Sequence, residues 1–121
     1  MAELKSPTPQ DVAQCVVGAL DDGKAVDINC LDVRHLTDIT DYMVIASGRS
    51  SRQCKALCDR VRDAMRTIGQ KPLGVEGDRE CEWVLIDCGD AIVHIMQPEV
   101  REFYQLEKLW SGTSDEARDA Q

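Results

Sequence analysis

Long apolar runs are missing from this sequence. No stretch approaches the ~20 consecutive apolar residues that a membrane-spanning helix requires. The first ten residues, MAELKSPTPQ, also lack the apolar core of a secretory signal. A membrane-spanning helix is therefore excluded, and we expect a cytoplasmic protein.

The CxxC pairs typical of zinc sites and redox enzymes are also missing. The six cysteines lie at positions 15, 30, 54, 58, 81 and 88, each inside an apolar pattern. This placement predicts reduced, mostly buried thiols rather than disulfides. Cys54 and Cys58 are one helical turn apart and are placed to share a metal with His35 or His94. Since no ligand-rich loop accompanies them, this is the weaker interpretation.

Positive charge is scarce, and the formal net charge is −8. Residues 49–71 are basic, whereas residues 72–121 are strongly acidic. Non-specific nucleic-acid binding needs a basic surface, so the charge argues against it. An acidic surface suits a basic protein partner, because complementary charge raises association rate and selectivity. The alternative is that the acidity only keeps the protein soluble.

Aromatic residues make up 4% of the chain, and most of them lie close together. The run 72–110 contains both tryptophans, the single phenylalanine and one of the two tyrosines. The same run carries no catalytic motif. A concentration of aromatic and acidic residues without catalytic groups indicates a docking surface.

The apolar periodicity predicts an α/β fold. Helical spacing follows an N-cap at Thr8 with Pro9 in the first turn, and it recurs from Ser50 to Ile68 after a capping box of Ser50 and Gln53. Strand patterns occupy 26–30, 42–47, 72–75, 82–87 and 90–97, and a last short helix follows at 98–104. The predicted order is α-β-β-α-β-β-β-α, with helices packed on a mixed sheet of about five strands. We expect disorder at 1–7 and 111–121, and a single domain from 8 to 110, where 106–110 form a tail.

Several motifs in one order resemble the ribosomal silencing factor (Iojap-related) family. The sequence reads PLGVEG, then a strand that begins at Trp83 and ends at Asp87, then GDAIVHIMQ and FYQLEKLW. Upstream, DINCLDVRHLTDITDYMVIASGRSSRQ is similar to the family's first strand, acidic turn, second strand and helix start. The resemblance covers roughly residues 26–110.

This resemblance implies a nucleotidyltransferase-like core and a translational repressor. Such a protein binds a basic ribosomal protein on the large ribosomal subunit, blocks association with the small subunit and slows translation when nutrients are limiting. It implies no cofactor and no membrane. Within the matching run we expect the partner-binding residues to be Trp83, Asp87, Asp90, His94, Tyr104 and Lys108.

An enzyme is the first alternative, because nucleotidyltransferases hold phosphates on a Gly-Ser turn and metals on paired strand carboxylates. Ser47 and Gly48 offer a similar turn, but the next carboxylates, Asp59 and Asp63, fall on a predicted helix. We therefore expect no enzymatic activity. A small enzyme with a pocket near 47–49 and a homodimeric adaptor that pairs through a free sheet edge are kept as alternatives.

The candidate residues also have simpler roles open to them. Trp83 is either a core residue or an exposed anchor. Asp87 and Asp90 suit turn hydrogen bonds as well as partner contacts, and His94 suits a core position. The basic face of the 50–68 helix is expected to be solvated, with contact to ribosomal RNA as the other interpretation.

Overall fold

The structure is a computed structural model that describes residues 7–110. The disorder expected for 1–7 and 111–121 lies outside the described residues, except for Pro7, which the structure describes. The elements follow in the order α1 (Pro9–Asp22), β1 (Val26–Asp32), β2 (Tyr42–Ser47), α2 (Ser51–Thr67), β3 (Gly74–Glu76), β4 (Trp83–Asp87), β5 (Ala91–Met96), α3 (Pro98–Tyr104) and α4 (Leu106–Trp110). The predicted order is confirmed up to α3, and the segment predicted as a tail forms the additional helix α4.

The five strands form one mixed sheet in the order β1-β2-β5-β4-β3. β2 and β5 pair in parallel at its centre, and the other neighbours are antiparallel. Every residue of β2 is buried, as its unbroken apolar run YMVIAS predicts for a strand covered on both faces. The sheet predicted from the sequence is thus confirmed.

Two long helices, α1 and α2, cover one face of the sheet. The α1 helix begins at a reciprocal capping box, in which Thr8 Oγ1 accepts from the Asp11 N–H and the Asp11 carboxylate accepts from the Thr8 N–H. The apolar stripes of both helices pack on the inward side chains of the central strands. The fully buried members of this core include Val16, Leu20, Val44, Leu57, Val61, Val84, Ile86, Val93 and Ile95.

The capping box predicted for α2 forms only in part. Ser50 Oγ accepts from the Gln53 N–H at 3.1 Å. Gln53 Oε1, however, accepts from the backbone N–H of Arg49 rather than Ser50. Its Nε2 donates to the carbonyls of Gly23 and Lys24. Gln53 therefore ties the start of α2 to the turn after α1, a tertiary contact that overrides the local motif.

The two short helices, α3 and α4, cover part of the opposite face. Neither contains a buried residue. Between them and the sheet lies a smaller core of Val33, Met43, Ile45 and Met96, lined by half-buried side chains that include Leu106 and Trp110. Leu109 is 67% exposed. Of the segment expected as a tail, Leu106 and Trp110 therefore pack on the sheet, whereas Leu109 does not.

One arginine fastens these short helices to the sheet. The Arg101 guanidinium donates to both carboxylate oxygens of Glu107, to Ser47 Oγ and to the Val26 carbonyl. Glu107 also accepts from the side-chain amide of Asn29. These bonds join α3, α4, β1 and β2. They lower the pKa of the Glu107 carboxyl, chiefly through its hydrogen bonds to Arg101.

All six cysteines are free thiols, and four of them are buried. Burial raises the pKa of Cys54 to about 11 and that of Cys88 to about 12, so both are neutral at neutral pH. Cys30 departs from the expectation of burial, because it lies exposed on the edge strand β1.

Over residues 7–110, no three His, Cys, Asp or Glu side chains are grouped to hold a metal ion. In that same range, no helix combines the length and apolarity needed to cross a membrane.

Candidate docking surface

The register of β4 and β5 places three of the predicted site residues on one face of the sheet. Trp83, Leu85 and Asp87 alternate along β4, and they pair with Met96, His94 and Ile92 of β5. Because paired residues in an antiparallel ladder point to the same side, all six face away from α1 and α2. Trp83, Asp87 and His94 therefore share the face that α3 and α4 cover in part.

The short helices α3 and α4 cover β4 only in part. Val84 and Ile86, which point toward α1 and α2, are fully buried, whereas the three β4 residues that alternate with them are only half-buried. We name the half-buried set of Trp83, Leu85, Asp87 and Ile92 the open sheet face. The neighbouring edge strand β3 adds the exposed Glu76, which pairs with Leu85. An apolar strip with carboxylates beside it thus meets solvent.

Aromatic side chains extend the open sheet face toward α3. The rings of Trp83 and Tyr104 lie 4.8 Å apart at a tilt of 48°, and Tyr104 meets Phe103 edge to face at 4.9 Å. Tyr104 is 53% exposed and Phe103 is 76% exposed. We call Trp83, Tyr104 and Phe103 the aromatic row. Trp83 is partly buried against the smaller core and partly accessible, so it is neither a fully buried core residue nor a fully exposed one, and its role as an anchor remains a prediction.

His94 lies beneath the aromatic row rather than at the surface. It is 6% exposed, and its Nδ1 accepts a hydrogen bond of 2.9 Å from the Trp83 indole Nε1–H. Burial lowers the pKa of His94 to about 4, so the ring is neutral at neutral pH. Because Nδ1 accepts, the proton of the neutral ring is on Nε2. The core position considered for His94 is thus the one it occupies.

Asp87 and Asp90 flank the tight turn between β4 and β5. The Asp87 carboxylate accepts from the Gly89 N–H at 2.9 Å, and Gly89 adopts a φ of +80°, which glycine tolerates best. The Asp90 carbonyl accepts from the backbone N–H groups of Asp41 and Tyr42. Asp87 therefore fills the turn role, about 13 Å along the strand from Trp83 at ~3.3 Å per residue.

Two exposed leucine-sized side chains lie beside this turn. Leu73 lies against Gly89, and its backbone N–H donates to the Asp87 carbonyl. Ile39 belongs to the loop whose Thr40 hydroxyl donates to the Gly89 carbonyl. Both Leu73 and Ile39 are 75% exposed. The acidic end of β4 therefore also offers apolar contact area.

Lys108 lies away from the other predicted residues. It is exposed on α4 and lines a polar hollow of about 630 Å³ on the β1 side, together with Asn29, Ser47 and Arg101. The structure thus brings Trp83, His94 and Tyr104 into contact, places Asp87 on the same face and leaves Asp90 in the turn.

Sequence reasoning missed three residues of the surface: Phe103, Leu85 and Ile92. The alternation of β4 was a usable signal for Leu85, because Trp83 and Asp87 share its phase. Phe103 had a signal too, since it is the single phenylalanine of the chain and directly precedes Tyr104. Ile92 had none, because both faces of β5 are apolar in the sequence.

Comparisons with known proteins match nearly the whole chain. A family described as "Ribosomal silencing factor during starvation" matches residues 6–121. A ribosomal silencing factor of Chromobacterium violaceum is 42% identical over 103 residues, which cover 85% of this chain and 84% of that protein. A crystal structure of a protein from the same organism superposes with a TM-score of 0.84 at 41% identity, covering 87% of this chain and 88% of that one. A mouse protein named mitochondrial assembly of ribosomal large subunit protein 1 is 33% identical over 109 residues, which cover 88% of this chain but 48% of the mouse protein.

Proposed function

The chain belongs to the ribosomal silencing factor family, and from this premise we propose that it is a translational repressor that binds the large ribosomal subunit. It docks on a basic ribosomal protein at the face that joins the small subunit. Once bound, it blocks subunit association sterically and slows translation under nutrient limitation. No chemical step is required for this activity, and we propose that the protein is not an enzyme.

The observation that carries the proposal is the pairing of the aromatic row with the open sheet face. Tryptophan and tyrosine dominate binding energy at protein interfaces when they are central and become desolvated. Here both lie at the edge of a half-buried apolar strip. Glu76, Asp87 and Asp90 supply negative charge around it. This arrangement suits a basic protein surface, and an interface of ordinary size needs ~800 Å² from each partner.

The large subunit is proposed as the partner on two grounds. The family is described by ribosome silencing, and the name of the mouse relative refers to assembly of the ribosomal large subunit. The acidic docking surface points to a protein on that subunit rather than to exposed RNA, because phosphates would be repelled.

The geometry around the Ser-Gly turn does not favour the enzyme alternative. The Ser47 hydroxyl is buried and bound to Arg101 at 2.9 Å. Asp59 and Asp63 lie exposed on α2 and are paired with arginines of the same helix. The hollow beside Ser47 is lined by three carboxylates, of Asp27, Glu102 and Glu107, and by the cations Arg101 and Lys108. Arg101 is already bound to Glu107.

The basic face of α2 lies on the other side of the sheet from the open sheet face. Two of its cations share Asp59, with Lys55 at 3.9 Å and Arg62 at 4.0 Å, at the i,i+4 and i,i+3 spacings that bring helical side chains together. We propose that this face is mainly solvated. Contact with ribosomal RNA through exposed residues such as Arg52 is a secondary proposal, and a steep loss of affinity with added salt would be its signature.

A homodimer of the unbound protein is the remaining alternative. In the described part of the chain, β1 and β3 are the sheet edges, and each leaves one side of its backbone unpaired. Light scattering on the purified protein, with dilution toward micromolar concentration, distinguishes a dimer from a monomer.

Sedimentation of mixed ribosomal subunits tests the proposed function. The protein should travel with large subunits and reduce the joined-ribosome peak. Trp83→Ala should weaken large-subunit binding by about thirtyfold, the effect of losing a hot-spot side chain, while circular dichroism shows a native fold. Val17→Ala, a half-buried position on α1 away from the open sheet face, is the matched control and should bind normally. Normal subunit joining in the presence of the wild-type protein would contradict the proposal.

A further inference from the structure

We propose that His94 is a positioning residue: it holds the Trp83 indole in its docking orientation and does not itself touch the partner. The inference rests on the proposed function, because it concerns how Trp83 is presented to the large subunit. It changes the role expected for His94 from a partner contact to a support beneath the contact residue.

The hydrogen bond between the two residues crosses the ladder diagonally. The register pairs Trp83 with Met96 and pairs His94 with Leu85, so the indole reaches two residues along the neighbouring strand. Diagonal neighbours are about 7–8 Å apart at the backbone, a distance that long side chains bridge only in suitable rotamers. The 2.9 Å contact between Nε1 and Nδ1 therefore selects one orientation of the indole.

The acceptor itself is held rigidly. His94 lies on β5 between β4 and β2, and its parallel partner on β2 is the fully buried Ile45. Its ring is almost completely enclosed, so it has little freedom to follow the indole outward. Nδ1 is also the ring atom without a proton in the neutral state, and the indole N–H can only donate. Donor and acceptor are thus matched.

Tyr104 completes the support from the other side. Its ring lies 4.8 Å from that of Trp83 and is itself backed by Phe103. Trp83 is therefore fixed at its N–H edge by His94 and on its ring by Tyr104. Ordering a side chain in advance removes part of the entropy cost of binding. A partner meets an indole that is already in place.

Substitutions of His94 separate this role from a purely structural one. His94→Leu replaces the imidazole with an apolar side chain of similar size and so removes the hydrogen-bond acceptor. His94→Asn and His94→Gln each supply an amide carbonyl as the acceptor, at two different distances from the backbone. The Trp83 indole N–H resonance, assigned by its loss in Trp83→Phe, reports the hydrogen bond by its chemical shift and hydrogen exchange. Affinity for purified large subunits reports the consequence.

The expected result is that affinity follows the indole resonance. In His94→Leu the resonance should lose its hydrogen-bonded shift, exchange should accelerate, and affinity should fall by about tenfold, the scale of ordering one side chain. Whichever amide variant restores the shift should bind within about threefold of wild type, near the lower end of the cost of ordering one side chain.

Two results would overturn the inference while leaving the proposed function intact. One is wild-type affinity in His94→Leu despite a changed resonance. The other is equal loss of affinity in all three variants despite a restored resonance, which would make His94 a direct contact. Failure of the wild-type protein to bind large subunits is a different result: it rejects the proposed function and this inference with it.

Discussion

The two faces of the sheet are covered in opposite ways. One face lies under α1 and α2, whose apolar stripes bury a large continuous core. The other lies under α3 and α4, which have no buried residue of their own and leave β4 half open. Stability thus comes mainly from the first face, and accessible aromatic surface comes from the second. The difference indicates that folding and docking can be altered separately.

The sharpest way to test this comparison is a pair of adjacent substitutions on β4. Val84→Asp places an unpaired carboxylate in the core under α1 and α2, where Val84 is fully buried. We expect a loss of about 4 kcal/mol or more, enough to unfold many domains of this size. Leu85→Asp changes the next residue, on the open sheet face, and should cost about 1 kcal/mol or less. Thermal unfolding followed by circular dichroism measures both.

Leu85→Asp should instead have its main effect on binding. Leu85→Asp removes apolar contact area from the open sheet face and should weaken large-subunit binding by about tenfold. If Leu85→Asp unfolds the protein as Val84→Asp does, the separation of the two faces is wrong.

Acidification should destabilise the docking side through His94. Folding lowers the pKa of this buried ring from 6.5 to about 4, so the unfolded chain binds the proton first. The stability linked to His94 is therefore complete above the unfolded pKa and falls progressively toward the folded pKa, where about 3 kcal/mol is lost. Urea unfolding at about pH 7 and about pH 4 measures this loss.

Carboxylates also titrate in this range. The loss of stability attributed to His94 is therefore the difference between the losses measured for the wild-type protein and for His94→Leu. His94→Leu keeps every carboxylate and should show a smaller loss of stability over the same pH interval. Equal losses in the two proteins would show that the buried histidine is not the cause.

Two arginine–carboxylate pairs of equal length offer a test of the Arg101 network. Arg101–Glu107 and Arg66–Asp63 both measure 2.7 Å, but the arginine side chains are 12% and 70% exposed. Arg101→Met leaves the half-buried Glu107 of α4 without its cation, with only the Asn29 amide still donating to it, and should cost about 2 kcal/mol. Arg66→Met on the exposed face of α2 should cost about 0.5 kcal/mol or less. Urea unfolding measures both, and hydrogen exchange should show faster opening of α4 only in Arg101→Met.

The smallest expected effect is a gain on the helix-covered side. Gly18 is exposed within α1, and a Cβ added there meets no atom within 4 Å. Gly18→Ala should therefore stabilise the protein by about 0.5–1 kcal/mol through helix propensity. Its affinity for large subunits should equal that of wild type. A change in affinity would mean that the covered side takes part in docking.

The sequence predicted those parts of the fold that depend on repeating local patterns. The stripes of α1 and α2 and the apolar run of β2 are long enough to identify, and the predicted family is confirmed. The helix α4 escaped prediction because five residues carry little periodicity. It is held instead by Leu106, Trp110 and Glu107, through contacts with distant strands.

The docking surface was predicted less completely, also for a physical reason. The scarcity of aromatic residues pointed to Trp83 and Tyr104, which the structure brings together. Whether a side chain on β5 is open or covered depends on where α3 and α4 end, and no local pattern encodes that. For this reason the sequence did not reveal that His94 is buried beneath the aromatic row, and Ile92 was not selected. The partner-contact roles of all six residues named from the sequence remain predictions.

The sheet order has a consequence for the synthesis of this protein. β2 is made early, yet one of its two neighbours is β5, which leaves the synthesising ribosome only after α2, β3 and β4. Until then, the apolar strand β2 has an unpaired edge. The core under α1 and α2 also lacks the side chains that β5 contributes to it. A nascent chain that stalls before residue 96 therefore carries the features of an aggregation-prone intermediate. We infer that folding completes late in translation, when β5 inserts between β2 and β4, so that a shortened chain has no stable smaller fold.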